Sequence, residues 1–189
     1  MAEGHVRDAQ STDADEIGRI QSTTWQQAYQ RQLPQTALDA MTPDAAAAAW
    51  HDAIVNAPGP GHRVFIALEA SATDTSRVGF VATAPSAADE DDAAGATEII
   101  ALLVEPRWGR RGHGSRLLSA AVDAAREAGS GRMICWVLGG DKASEDFLRS
   151  AGWERDGWRR TLDAGEREIP QYRMHTDISH LPGGAAHAR

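Results

Sequence analysis

The chain has 189 residues, enough for one sizeable hydrophobic core rather than two, and its apolar content of 42% is ordinary for a globular domain. A formal net charge of -8 disfavours non-specific binding to nucleic acid or to an anionic membrane. A single cysteine excludes an internal disulfide, and no run of residues approaches membrane-spanning length.

Taken in chain order, Val6 and Arg7 begin a short first strand. Asp13 or Asp15 is placed to cap a helix that reaches Ser22 or beyond, with Ile17 and Ile20 on one face. Trp25, Tyr29 and Leu33 continue that spacing in four-residue steps up to Pro34, either as core anchors or as walls of a substrate cleft. Pro43 and Asp44 open a second helix, through an alanine run to Trp50 and Ile54. A Pro/Gly-rich loop at 56–61 precedes strands at Val64–Ala70 and Arg77–Thr83, joined by a polar hairpin loop. Pro85–Ala96 is acidic and poor in apolar residues, and reads as a mobile surface loop or tolerated insertion.

Glu98–Val104 reads as a strong strand. A helix over Gly112–Ala128 ends at Gly129 and Gly131. Met133–Leu138 (MICWVL) is a nearly continuous apolar strand, expected to be central and covered on both faces. Cys135 lies within it and reads as a buried structural thiol rather than a nucleophile. A short helix over Asp141–Ser150 is closed by Gly152. Two last strands, Arg159–Leu162 and Gln171–Thr176, are joined through an Ala164–Gly165 turn, and residues from about 179 read as a frayed tail. The order describes one α/β (α+β) domain over residues 1–178, with a mixed, mostly antiparallel twisted sheet flanked by helices. The opening MAEGHVRD has no apolar signal region, so a cytoplasmic location is the expectation. There are 7 histidines but no HExxH or CxxC pair, and no metal site is expected.

The most informative segment is Thr97–Gly129, TEIIALLVEPRWGRRGHGSRLLSAAVDAAREAG. A strand runs into a basic, glycine-rich turn that opens into an amphipathic helix, whose apolar face is Leu117, Leu118, Ala121, Val122 and Ala125. Gly112 and Gly114 let a diphosphate approach the backbone. The N–H groups from Gly112 to Ser115 lack intrahelical partners, and Arg110 and Arg111 add positive charge in an otherwise acidic chain. The absence of GK[ST] excludes a nucleotide-triphosphatase loop, and the six-residue dinucleotide-binding glycine pattern is missing too.

The strand IIALLVEP, the turn WGRRGHG, the helix SRLLSAAVDAARE and the later WVLGGDKASEDFLRSAGWERDG together resemble the GCN5-related N-acetyltransferases over nearly the whole chain. The resemblance implies acetyl-CoA as acyl donor. It places the pyrophosphate on Gly109, Arg110, Arg111, Gly112, His113, Gly114 and Ser115, with His113 contributing its backbone N–H. It implies that the fourth strand splays from the next, so that backbone groups of Leu102, Leu103 and Val104 pair with the pantetheine arm, while Asp141 and Phe147 lie on the arm's far side. Two positions depart from the family pattern. Gly109 stands where Arg or Gln is usual, so Arg110 or Arg111 must supply the charge. Leu148 stands where a tyrosine often protonates the leaving thiolate, which leaves Ser144 or a water for that task.

An amine acceptor must lose a proton before attack. The resemblance implies that an acidic residue on the fourth strand serves as base, and Glu98 is the best-placed candidate, with a solvated strand-end carboxylate as the alternative reading. Strict alternation puts it on the face of Ile100, Leu102 and Val104, unless a bulge resets the phase. Glu105 reads as a surface residue, and His62 and His113 as weaker bases. Trp25, Tyr29, Trp50 and Phe80 are candidate acceptor-site walls. The expected reaction is direct transfer to a primary amine of a small molecule or amino acid. A protein or peptide amine, or a non-catalytic acyl-CoA sensor, are the alternatives. Dimers are common in the resembled family, so a homodimer is open.

Overall fold

A computed structural model describes residues 3–87 and 94–179. Half of the acidic loop and nearly all of the expected tail fall outside the described residues. Seven strands form one sheet: β1 (Glu3–Asp8), β2 (Arg63–Ala70), β3 (Thr75–Pro85), β4 (Thr97–Val104), β5 (Arg132–Leu138), β6 (Glu154–Asp163) and β7 (Glu168–Asp177). Their order is β1-β2-β3-β4-β5-β7-β6, and only β4 and β5 run parallel among the pairs described. The helices are α1 (Ala14–Ala28), α2 (Gln35–Ala40), α3 (Pro43–Val55), α4 (His113–Glu127) and α5 (Lys142–Ser150).

The sheet is covered on both faces, as a strand like β5 requires. On one face, Leu117, Leu118, Ala121 and Ala125 of α4 pack with Val81, Ile99, Met133, Val137 and Met174, and Leu148 and Trp153 extend the same core. On the other, Ile17 and Ile20 of α1 pack with Ile66, Leu68, Phe80 and Leu103. α1 and α3 cross at Gly18, where a Cβ would lie 2.5 Å from the Ala47 amide nitrogen, so only glycine permits this approach. Thr42 caps α3 by accepting from the Ala45 N–H at 3.2 Å, and Pro43 occupies its first turn.

Three expectations need correction. α1 stops at Ala28, with Tyr29 as its C-cap, and α2 is a further short helix that the sequence reading missed. Its six residues are too few for a periodic signal to stand out. β6 begins at Glu154 rather than Arg159, because Asp156, Gly157 and Trp158 form an irregularity opposite β7 that breaks the alternation. Asp13 does not cap α1 through its side chain. It is fully buried and takes both guanidinium nitrogens of Arg7 (2.7 and 3.0 Å), Arg77 Nε (2.6 Å) and the Gln10 N–H (2.8 Å).

Burial alone would raise the Asp13 carboxyl. The hydrogen bonds from Arg7, Gln10 and Arg77 outweigh it and hold the group far below the ordinary carboxylate range. A depressed folded-state pKa gives stability that is present above the ordinary carboxylate pKa and is lost as pH falls through that range towards the folded value. Asp13→Asn is expected to lower unfolding free energy at neutral pH by about 2–3 kcal/mol and to flatten the acid limb of stability against pH. Urea melts from pH 3 to 8 check both; parallel curves for the two proteins would contradict the assignment.

Candidate active site

β4 and β5 pair only at Thr97–Met133, Glu98–Ile134 and Ile99–Cys135, and then part. The cause lies at Ile100. On the other edge of β4, Ala82 faces Ala101 but Thr83 faces Ile99, so Ile100 is an extra residue, and its side chain is 54% exposed. Beyond this bulge Leu102, Leu103 and Val104 still pair with β3, while Trp136, Val137 and Leu138 pair with β7. Their facing edges form a wedge-shaped slot in mid-sheet. Backbone groups there require a partner from outside the ladder, and an extended chain can supply one.

The bulge also corrects the expected face of Glu98. Ile99, Leu102 and Val104 pack toward α4, whereas Ala101 and Leu103 pack toward α1 and α3. Glu98 therefore shares the α1 and α3 side with Leu103, not with Leu102 and Val104, and it stands at the foot of the slot. Its side chain is mostly buried, with one oxygen 3.8 Å from a nitrogen of Arg160. This is not a solvated strand end. Sequence reasoning missed Arg160 and its neighbour Trp136. The Arg160 guanidinium carbon lies 4.3 Å from the Trp136 ring centroid, and its Nε donates to Gln171 at 2.8 Å. A run of Arg-Arg in an exposed hairpin gave no signal that one of the pair reaches Trp136 and Glu98.

At the open end of the slot, directly after β4, lies the basic turn. Arg110 (φ 62) and Gly112 (φ 81) both adopt left-handed backbone, which curls the turn before α4 starts at His113. The Arg116 N–H bonds to the Gly112 carbonyl at 3.1 Å, so the N–H groups of His113, Gly114 and Ser115 precede the first helical bond. The two arginines differ. Arg111 sits 4.9 Å over Trp108 and 3.3 Å from the Glu69 carboxylate, whereas Arg110 forms no ion pair among the described residues. Glu69 also receives His113, whose Nε2 lies 2.7 Å away. The His113 side chain is buried, and burial lowers its pKa against the pull of Glu69, which removes it as a base exposed to substrate. Gly109 is extended, and a Cβ there would come 3.1 Å from the Pro106 carbonyl. Gly114 faces Phe147, whose ring carbons would lie 3.3 Å from a Cβ.

Glu105, expected at the surface, is instead buried and paired with Arg19 and Arg107, each at 2.9 Å. Burial raises its pKa, but the two arginines hold it net below the ordinary value, so it anchors the turn to α1. His62 lies at the start of β2 and is half-buried.

The start of α5, which follows β5, stands at the same open end of the slot. Asp141 caps the helix by accepting from the Ser144 N–H at 3.1 Å. Tyr29 reaches this point from the end of α1. Burial, then the charge and hydrogen bonding of Asp141, push its phenol well above the ordinary range, with Ser144 acting the opposite way. Tyr29 is thus neutral here, and it packs edge-to-face with Trp25 at 5.8 Å. Leu148 is buried in the α4-side core and is not at the slot. Phe80, expected as a wall, is fully buried under Trp50 at 4.9 Å between centroids, so it is core and cannot touch an acceptor. The Cys135 thiol is pushed up to about 12, chiefly by burial and then by the charge of Glu98, which keeps it unreactive at neutral pH.

Residues 20–153 match the Acetyltransferase (GNAT) family model. No curated protein matches the chain in sequence. Among solved structures, yncA from Salmonella typhimurium, solved with its cofactor acetyl-CoA, aligns over 97% of this chain and 99% of its own at 19% identity and TM-score 0.68. The PaiA N-acetyltransferase of Thermoplasma acidophilum, in complex with coenzyme A, aligns over 93% and 99% at 12% identity and TM-score 0.70. A ribosomal-protein-alanine N-acetyltransferase from Brucella melitensis aligns over 91% and 98% at 19% identity and TM-score 0.70.

The unequal surroundings of the two arginines give a quantitative expectation for the turn. Arg110→Ala should weaken coenzyme A binding by about tenfold, one charge-assisted contact's worth, and Arg111→Ala by less. Isothermal titration calorimetry measures both. Affinities equal to the unmodified protein in both variants would show that the turn's charge plays no part.

Proposed function

Because the chain belongs to the acetyltransferase (GNAT) family, we propose that it transfers an acetyl group from acetyl-CoA directly to a primary amine of a small molecule or amino acid. The observation that carries this reading is the position of Glu98. It stands at the foot of a slot of strand width, on the face opposite α4, with the basic turn at the slot's mouth. The residues fit the donor. Curled backbone and unbonded N–H groups at 113–115 suit a diphosphate, Arg110 supplies charge, and the open edges of β4 and β5 suit an amide-bearing arm held straight.

Glu98 takes a proton from the acceptor ammonium. The freed amine nitrogen forms a bond to the thioester carbonyl carbon, the carbon–sulfur bond breaks, and the sulfur leaves with the electron pair; the second proton of the nitrogen, made acidic by the new bond, passes to that sulfur and leaves a neutral amide and the free thiol. The Ser144 hydroxyl, in the first turn of α5 beside Tyr29 and Asp141, donates a hydrogen bond to that sulfur. A thiolate is a weak enough base, with a free pKa of about 8.5, to leave without a strong acid. No covalent acyl-enzyme is involved, since Cys135 is half-buried within β5 and its thiol is held protonated. The donor and acceptor therefore meet in a ternary complex.

A non-catalytic acyl-CoA sensor is the second reading, favoured by Gly109 at the usual Arg/Gln position and by the burial of Leu148. Thiol release from acetyl-CoA with a panel of small amines, amino acids and peptides separates the readings. The proposal expects turnover on small amines. Coenzyme A binding without turnover on any amine supports the sensor, and peptide-only turnover supports protein modification. Glu98→Gln is expected to lower kcat by about 10²-fold, with the loss growing as pH falls. An unchanged rate and pH profile would remove Glu98 as base.

A further inference from the structure

We infer that Arg160 and Trp136 bind the carboxylate of the acceptor, and that the acceptor is an α-amino acid with an apolar side chain. This rests on the acetyltransferase reading and narrows its substrate class.

Glu98, Trp136 and Arg160 occupy one face at the foot of the slot. Ile134, paired with Glu98, and Trp136, two residues further on, share one face of β5, and Arg160 reaches the same side from β6. The Glu98–Arg160 separation of 3.8 Å makes it a longer contact than a hydrogen bond. An ammonium and a carboxylate on one carbon match this arrangement. The ammonium meets Glu98, the carboxylate meets Arg160, and each charge of the zwitterion replaces the partner it displaces. Charge balance in the half-buried site is kept.

Arg160 is held ready for such a partner. Its Nε is engaged by Gln171 at 2.8 Å, and its plane rests on Trp136 at 4.3 Å, so the fork loses little freedom when an oxyanion docks. The indole N–H of Trp136 is buried and finds no acceptor among the described residues. A buried donor without an acceptor is costly, and a carboxylate beside Arg160 would satisfy it. Behind Trp136, the fully buried Arg173 stands 5.8 Å from its ring and is locked to Asp156 at 2.7 Å, which fixes the platform. Two exposed large apolar side chains belong to the strands that carry Glu98 and Arg160. Ile100, two residues beyond Glu98, is 54% exposed, and Trp158, 5.1 Å from the Arg173 guanidinium, is 51% exposed. They offer surface to an apolar substituent rather than to a second charge.

The test compares leucine and phenylalanine with leucinamide and phenylalaninamide, which keep amine and side chain but lose the negative charge. Initial rates of thiol release are corrected for free-amine fraction. The unmodified protein should favour the acids by roughly tenfold or more in kcat/KM. Arg160→Gln should lower kcat/KM on the acids far more than on the amides and so erase the preference. Arg160→Lys should restore part of it, and Trp136→Phe, which keeps the ring but removes the N–H, should weaken it. No preference in the unmodified protein, or equal losses on acids and amides in Arg160→Gln, would overturn the inference while leaving the acetyltransferase reading intact. The latter result would make Arg160 a positioning residue for Glu98. Turnover confined to dipeptides would also overturn it. If no amine is turned over, the acetyltransferase reading fails, and calorimetric titration of leucine into the protein with coenzyme A decides the Arg160 question. Binding lost in Arg160→Gln supports the inference, and absent or unaltered binding overturns it.

Discussion

The parting of β4 from β5 after the Ile99–Cys135 bridge is the constraint on which the rest of the site depends. A parallel pair normally continues until one strand ends. Here the extra residue Ile100 shifts the β3–β4 register, and the two strands diverge with seven-stranded continuity kept on either side. Unpaired strand edges are a hazard at a sheet's rim. In mid-sheet, walled by α4 on one face and by α1 on the other, the same edges are what the proposed reading uses as a template for one extended molecule. Gly114 and Phe147 set how closely α4 approaches α5. A side chain at Gly114 would press on the ring, so the approach of α4 to α5 is written into that glycine.

Charge is organised around this opening in separate groups, each anchored by a buried carboxylate. Asp13 ties β1, the start of α1 and β3 together and fixes the helix that ends in Tyr29. Glu69 draws Arg111 and His113 onto β2 and so braces the turn from behind, leaving Arg110 toward solvent. Glu105 pins the beginning of the same turn to Arg19. These pairs have a shared consequence. The turn's backbone is held in a curled form that an isolated loop would not keep, and the unbonded N–H groups at the start of α4 stay aimed in one direction. On the proposed reading, pre-organisation of this kind compensates for Gly109, which offers no charged side chain.

Much of the fold was legible in the sequence because its signals are local. The period of α4, the apolar run of β5 and the glycine stops after α4 and α5 all depend on neighbouring residues alone. The turn and its helix start were legible for the same reason, as was the inert role of Cys135. What escaped depends on register or on distant partners. One inserted residue at Ile100 reversed the face of Glu98, and no single-sequence alternation can report a bulge. Phe80 carried the composition of a cleft wall, but its place under Trp50 was decided by the crossing of α3 over the sheet. Glu105 looked exposed because Arg19, its partner, lies 86 residues away. Arg160 and Trp136 were invisible as a pair, since only the β5–β7–β6 order brings them together.

The central claim, that the divergent edges of β4 and β5 receive an extended arm in strand-like pairing, is tested most directly by amide hydrogen exchange on the protein with and without coenzyme A. The account predicts slowed exchange at alternate amides over residues 100–104 and 136–138, together with amides of the 110–115 turn. Protection confined to the turn, with both strand edges exchanging as fast as in the free protein, would contradict it.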